Sequence, residues 1–229
     1  MSEFEGVRAE VHDLLSSDMS GHSIDHVDRV YRLAVTLAEA ENADMDTVKL
    51  AALLHDVDDY KLFGRENAEQ LTNAREIMDR HAVDQKMAQH VLKIISSMGY
   101  NTFLEGRRPD TIEGQVISDA DMCDAIGSQG LLRVFEYNRS KGKPFFISGI
   151  PPVSSEVSAE AYRAGGNDHA VQHFFDKLLK IPTILMTESG RAEGYQRAAI
   201  MEDFLRELFR EEGADDWQQY LEAFTRQGR

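Results

Sequence analysis

Between residues 23 and 41 the apolar positions Val27, Val30, Tyr31, Leu33, Ala34, Leu37 and Ala38 recur at steps of three and four. That period places one apolar stripe along a helix. The same reading predicts a helix over residues 46–57, capped by Asp46, and two more over residues 65–81 and 84–97. Asp110 and Glu113 follow Pro109 with the spacing of a capping box, which opens a helix running to Ala125. Gly127 and Gly130 then mark a break or a tight packing point before LLRVFEYN. Residues 140–155 hold three of the five prolines and several serines, so they predict a loop. A loop of this length in a compact domain is expected to act as a lid or a mobile rim. Residues 156–210 predict two long helices interrupted at Pro182 and ESGR, and a short helix with Trp217 and Phe224 closes the chain. Strand alternation is not evident, and the expected fold is all-α.

Composition narrows the class. With 42% apolar and 28% charged residues the chain has the balance of a folded globular protein. No apolar run approaches the roughly 18–20 residues of a membrane span. The N-terminal MSEFEGVRAEVHD is acidic and has no apolar signal segment, so a cytoplasmic location is expected. The single cysteine, Cys123, excludes an internal disulfide and a Cys-rich zinc site. A net charge of −15 disfavours a nucleic-acid partner, because binding a polyanion draws on many Lys and Arg contacts. It leaves room for a small phosphorylated substrate, since a bound metal or a few local cations reverse the sign inside a pocket.

The candidate chemistry begins at LAALLHDVDDY, where an apolar helix runs into His55, Asp56, Asp58 and Asp59. His55 lies three, four and seven residues after Ala52, Ala51 and Val48, so it continues their buried face. His26 precedes Val30, Leu33 and Leu37 by four, seven and eleven residues. Asp121 has Ile117 four residues before it and Ala125 four after. Three helices thus aim a His or an Asp at a common interior, where a carboxylate needs a partner or a metal. The bland alternatives are a hydrogen-bonded core histidine, a solvated helix end, and an acidic edge made of Asp119, Asp121 and Asp124. A helix C-terminus favours His but disfavours acids, which weakens the second of these.

The segments GHSIDHVDRV, AALLHDVDDYK and TIEGQVISDADMCDAIGSQGLLR resemble the HD superfamily of metal-dependent phosphohydrolases. Its signature is a His, then a His-Asp pair, then a distant Asp. Together with HFFDKLLKIPTILMTESGRAEGYQRAAIMEDFL, the last segment resembles a branch of small, stand-alone bacterial and archaeal HD hydrolases. The resemblance spans residues 20–210 and implies a single HD-type domain over residues 1–229. Within it, a helical core would occupy residues 20–137, a long loop 138–158 and additional C-terminal helices 159–226.

Carried over residue by residue, the resemblance implies His26, His55, Asp56 and Asp121 as metal ligands. Asp121 is preferred to Asp119 because the family's final Asp falls there and its neighbours face inward. Two neutral imidazoles and two carboxylates suit one divalent ion, Mn²⁺ first, with Mg²⁺, Co²⁺, Fe²⁺ or Ni²⁺ as alternatives. Asp59, one turn past Asp56, would be the general base, and Lys61 a phosphate-binding cation. Arg133, Lys177, Lys180 and Arg191 are further substrate-binding candidates. Asp58 points about 100° away from its neighbour and is expected to be structural.

Two departures stand out. His81 and His90 fall where relatives carry extra metal ligands but form no His pair, and Met122 and Cys123 replace the commoner Arg-Leu. The implied activity is hydrolysis of a phosphate ester or anhydride in a nucleotide or similar small metabolite. The alternative is a nucleotide-binding regulatory domain with little turnover; an oxidative di-iron site would need His81 and His90 as additional ligands. Oligomeric state is not legible, and a homodimer is reasonable for a compact bundle.

Overall fold

A computed structural model describes residues 4–16, 24–153 and 169–227. Among these residues every regular element is helical, as the periodicity requires. None of these helices is long and apolar enough to cross a membrane. The chain divides into two compact units, residues 1–121 and 122–229.

The first unit is built around a helix that is apolar on nearly all sides. Helices α1 (Glu5–Leu15), α2 (Ile24–Glu41) and α3 (Met45–Leu54) come first in the chain. In α3, Thr47, Val48 and every residue from Leu50 to Leu54 are buried, the pattern of a helix enclosed by others. Around it pack α1, α2 and α7 (Gln85–Ser97). The α2 stripe of Val27, Val30, Ala34, Leu37 and Ala38 supplies one wall, and Val91, Leu92 and Ile94 of α7 another. Each buried Val, Leu or Ile among them contributes about 1.5–3 kcal/mol relative to exposure. Val7, Val11 and Leu15 recur every four residues and bury α1.

Four sequence expectations shift in this unit. The cap of α3 is Asp44, whose carboxylate accepts from Thr47 N, and not Asp46. The helix ends at Leu54, so residues 55–58 form turns instead of a last helical turn. The single helix expected over residues 65–81 is broken at Leu71, which adopts φ 52° between α5 (Arg65–Gln70) and α6 (Thr72–Arg80). Ahead of them lies the short α4 (Tyr60–Phe63), and α8 (Tyr100–Leu104) follows α7. The capping box does not form. Helix α9 (Ile112–Asp124) starts with Thr111 Oγ1 accepting from Gly114 N, while Asp110 pairs with Lys93 and Glu113 accepts from Asp44 N.

The second unit holds α10 (Gly127–Ser140), α11 (Val171–Asp176), a 3₁₀ turn (Leu178–Lys180), α12 (Ile181–Ile184), α13 (Glu188–Glu211) and α14 (Asp215–Gln227). Both readings of the glycine pair hold. Gly127 turns the chain at φ 73°, and a Cβ there would sit 3.1 Å from Arg197 Cβ. At Gly130 a Cβ would fall 2.3 Å from the Ala125 carbonyl oxygen. The first long helix expected over residues 156–210 is replaced, where it is described, by the short pieces α11 to α12; residues 154–168 lie outside the described residues. Trp217 is fully buried against Phe146, His169, Phe175 and Phe209 with ring centroids 5.3–5.7 Å away. Within the loop expected over residues 140–155, residues 145–153 make defined contacts with the rest of the unit. Phe145 and Phe146 pack inward, Trp217 Nε1 donates to Ile150 O at 2.8 Å, and Gln172 bonds both backbone groups of Val153.

His173 of α11 makes this unit sensitive to acid. Burial, reinforced by the charge of Lys177, lowers its pKa from 6.5 to about 4. Between those values the unfolded chain binds a proton that the folded chain does not, so stability present above pH 6.5 is lost as pH falls toward 4. Urea unfolding followed by the fluorescence of Trp217, the sole tryptophan, should show a lower midpoint at about pH 4.5 than at about pH 7.5. His173→Leu should flatten that difference; an unaltered pH dependence in the variant would refute the assignment.

Candidate metal centre

The first turn of α2 places His26 on the same buried stripe as Val30, with 3% of its side chain exposed. From the end of α3, His55 turns its Nδ1 onto the carbonyl of Ala52, 2.8 Å away. A carbonyl only accepts, so Nδ1 carries the proton and the Nε2 lone pair faces inward. That nitrogen lies 3.2 Å from His26 Nε2. Asp56 brings Oδ2 to 3.4 Å from His26 Nε2 and 3.7 Å from His55 Nε2. From α9, Asp121 brings Oδ1 to 3.4 Å from His26 Nε2.

The donor set fits a divalent cation. One donor atom from each of His26, His55 and Asp56 lies within 4.8 Å of the other two, and among the described residues these alone form such a group. Spacings of 3.2–3.7 Å suit atoms sharing one ion at about 2 Å. Two carboxylates each approach His26 Nε2 to 3.4 Å, at a site that leaves Asp56 14% and Asp121 28% exposed. Such a concentration of negative charge calls for a cation. Burial pushes the Asp121 carboxyl up, but the His26 hydrogen bond and the attraction of positive charge on His55 and His26 outweigh it and hold its pKa below the usual carboxylate range.

The remaining sequence candidates have other neighbours. Of the two aspartates weighed for the last ligand, Asp121 brings its Oδ1 to 3.4 Å from His26 Nε2, and Asp119 is fully buried. Asp59 caps α4, its Oδ1 accepting from Lys61 N at 2.9 Å, and Lys61 Nζ lies 5.7 Å from the centre of the Tyr60 ring. Arg133, Lys177, Lys180 and Arg191 all belong to the second unit. Arg133 donates to the buried Asp124 at 3.0 Å, and Arg191 to the carbonyls of Leu185 and Met186. These two cations are thus occupied with structural work. Lys177 follows α11, its charge bearing on His173, and Lys180 ends the 3₁₀ turn. His81 pairs with Glu10 at 2.9 Å and His90 lies 3.4 Å from Thr111 Oγ1, so neither joins the His26 group.

Residues 23–126, which include all four converging side chains, match the HD domain family. The chain is 31% identical over 212 residues to YpgQ of Bacillus subtilis, covering 91% of this chain and 93% of that protein. It superposes on an HD-superfamily hydrolase from Bacillus thuringiensis with a TM-score of 0.72 at 30% identity, over 93% of this chain and 97% of the other. A structure of Bacillus subtilis YpgQ in complex with ADP gives a TM-score of 0.65 at 30% identity, over 90% and 93% of the two chains. The chain belongs to the HD-domain family, and its fold is that of the HD-superfamily hydrolases.

If the four side chains hold a metal, binding stabilises the folded state. Mn²⁺ at a hundred times its dissociation constant should add about 2.7 kcal/mol to unfolding, read as a rise in melting temperature. His26→Ala and Asp56→Ala should melt at the same temperature with and without Mn²⁺; a full metal-dependent rise in either would place the ion elsewhere.

Proposed function

We propose that this protein is a metal-dependent phosphohydrolase acting on a phosphate ester or anhydride of a nucleotide or similar small phosphorylated metabolite. His26, His55, Asp56 and Asp121 hold one divalent ion, with Mn²⁺ the first choice. The observation that carries the reading is the approach of two imidazole Nε2 atoms to 3.2 Å beside two carboxylates, with one tautomer already fixed by Ala52. The ADP bound to YpgQ supports a nucleotide as the substrate class.

When bound, the ion supplies Lewis acidity toward a water and toward phosphoryl oxygens. Asp59 accepts the proton of the attacking water as its oxygen bonds to phosphorus and the bond to the leaving oxygen breaks. Asp59 stands at the end of the His55–Asp59 segment as the cap of α4. Lys61 offers positive charge to the phosphoryl oxygens. His55 keeps its proton on Nδ1 throughout, because transfer from there would leave the Ala52 carbonyl without its donor.

Phosphate and pyrophosphate release from a panel of nucleotides and sugar phosphates tests the reading. Release is expected to require Mn²⁺ or a similar ion and to disappear in Asp56→Ala. Asp59→Asn separates the two roles of Asp59, since Asn caps helices about as well as Asp. This variant should keep the wild-type melting temperature and lose about 10²–10⁴-fold in turnover. Metal binding without turnover of any substrate in the panel would favour the regulatory nucleotide-binding domain instead.

A further inference from the structure

Residues 55–58, which connect α3 to the Asp59 cap, are not helical, and their own backbone hydrogen bonds are long. Val57 N reaches Leu54 O at 3.4 Å and Asp59 N reaches Asp56 O at 3.2 Å. The shorter bonds come from outside the segment. Asn73 Nδ2 donates to Val57 O at 2.6 Å, and Asn73 N donates to Asp58 Oδ1 at 2.8 Å. Ala74 N donates to Asp58 Oδ2 and Asn67 Nδ2 to Asp58 Oδ1, both at 2.9 Å. Four bonds from α5 and α6 therefore grip the two residues between Asp56 and Asp59.

We propose that Asn73 is a positioning residue for the metal centre, holding the Val57 carbonyl and with it the direction in which Asp56 is presented. The inference rests on His26, His55, Asp56 and Asp121 being the metal ligands. Asp58 and Asn73 divide the work. The Asp58 carboxylate, 4% exposed as a residue, serves the N-terminus of α6, where Leu71 in the cap position has no side-chain acceptor. Asn73 adds a second tie through its amide, and an amide is needed because the acceptor is a carbonyl that a carboxylate at position 73 would repel. Removing this side chain leaves the Asn73 backbone N–H on Asp58, so the cap of α6 survives and only the hold on Val57 is lost. Groups that orient metal ligands in this way typically alter affinity by about 10–100-fold when removed.

The test is Mn²⁺ affinity of the full-length protein, measured by titration calorimetry on chelator-treated wild type, Asn73→Ala and Asn73→Ser. Serine keeps a polar side chain but is too short to reach Val57 O, so it serves if the alanine variant folds poorly. The expected result is at least about tenfold weaker Mn²⁺ binding in the variants, with a metal-free melting temperature close to wild type. Wild-type Mn²⁺ affinity in a folded variant would overturn the positioning role, even if its metal-free stability were lower. Failure of the wild type itself to bind Mn²⁺ would instead remove the metal centre, and this inference with it.

Discussion

Two carboxylates and two imidazoles meeting in the interior of an apolar bundle set the terms for the first unit. Like charges this close are tolerated only if something positive joins them or if protons redistribute among the nitrogens. The fold leaves little freedom for the second course. His55 has its Nδ1 proton committed to Ala52, so its other nitrogen is presented as a lone pair toward His26 and Asp56. A site that fixes a tautomer, gathers anions and is walled by α2, α3 and α9 is arranged for a cation before one arrives.

The architecture around it serves that arrangement. A helix buried on nearly all sides, α3 is held in place by its neighbours more than by amphipathicity. Its end at Leu54 frees the next four residues to turn, and this allows adjacent side chains, His55 and Asp56, to address one point. On a continuous helix two adjacent residues diverge by about 100°. The turn then needs external support, which comes from the beginning of α6 across the strained Leu71 junction.

The second unit has a different basis. Its core is aromatic, centred on Trp217, and it draws the chain around Ile150 and Val153 onto itself through hydrogen bonds to backbone groups. Basic side chains that look available in the sequence are absorbed here. The buried Asp124 carboxylate takes Arg133, and the carbonyls at the end of α12 take Arg191. Both follow from the cost of leaving buried or terminal polar groups without partners. A count of cations in the sequence is therefore a poor guide to those a phosphate would meet.

The amino-acid sequence alone determined the all-α class, the stripes of α2 and α7, and the inward aim of His26, His55 and Asp121. Each follows from spacing within one helix, and helical geometry is local. The motif that groups these residues is also a matter of order along the chain. What only the tertiary structure decided depends on residues far apart in sequence. Asp44 capped α3 in place of Asp46, and Leu71 broke an expected helix. Asp58 found its donors 9 to 16 positions away, and Ile150 and Val153 took partners from α14 and α11. Buried donors and acceptors take whichever partner the packing brings near, and no local pattern encodes that choice.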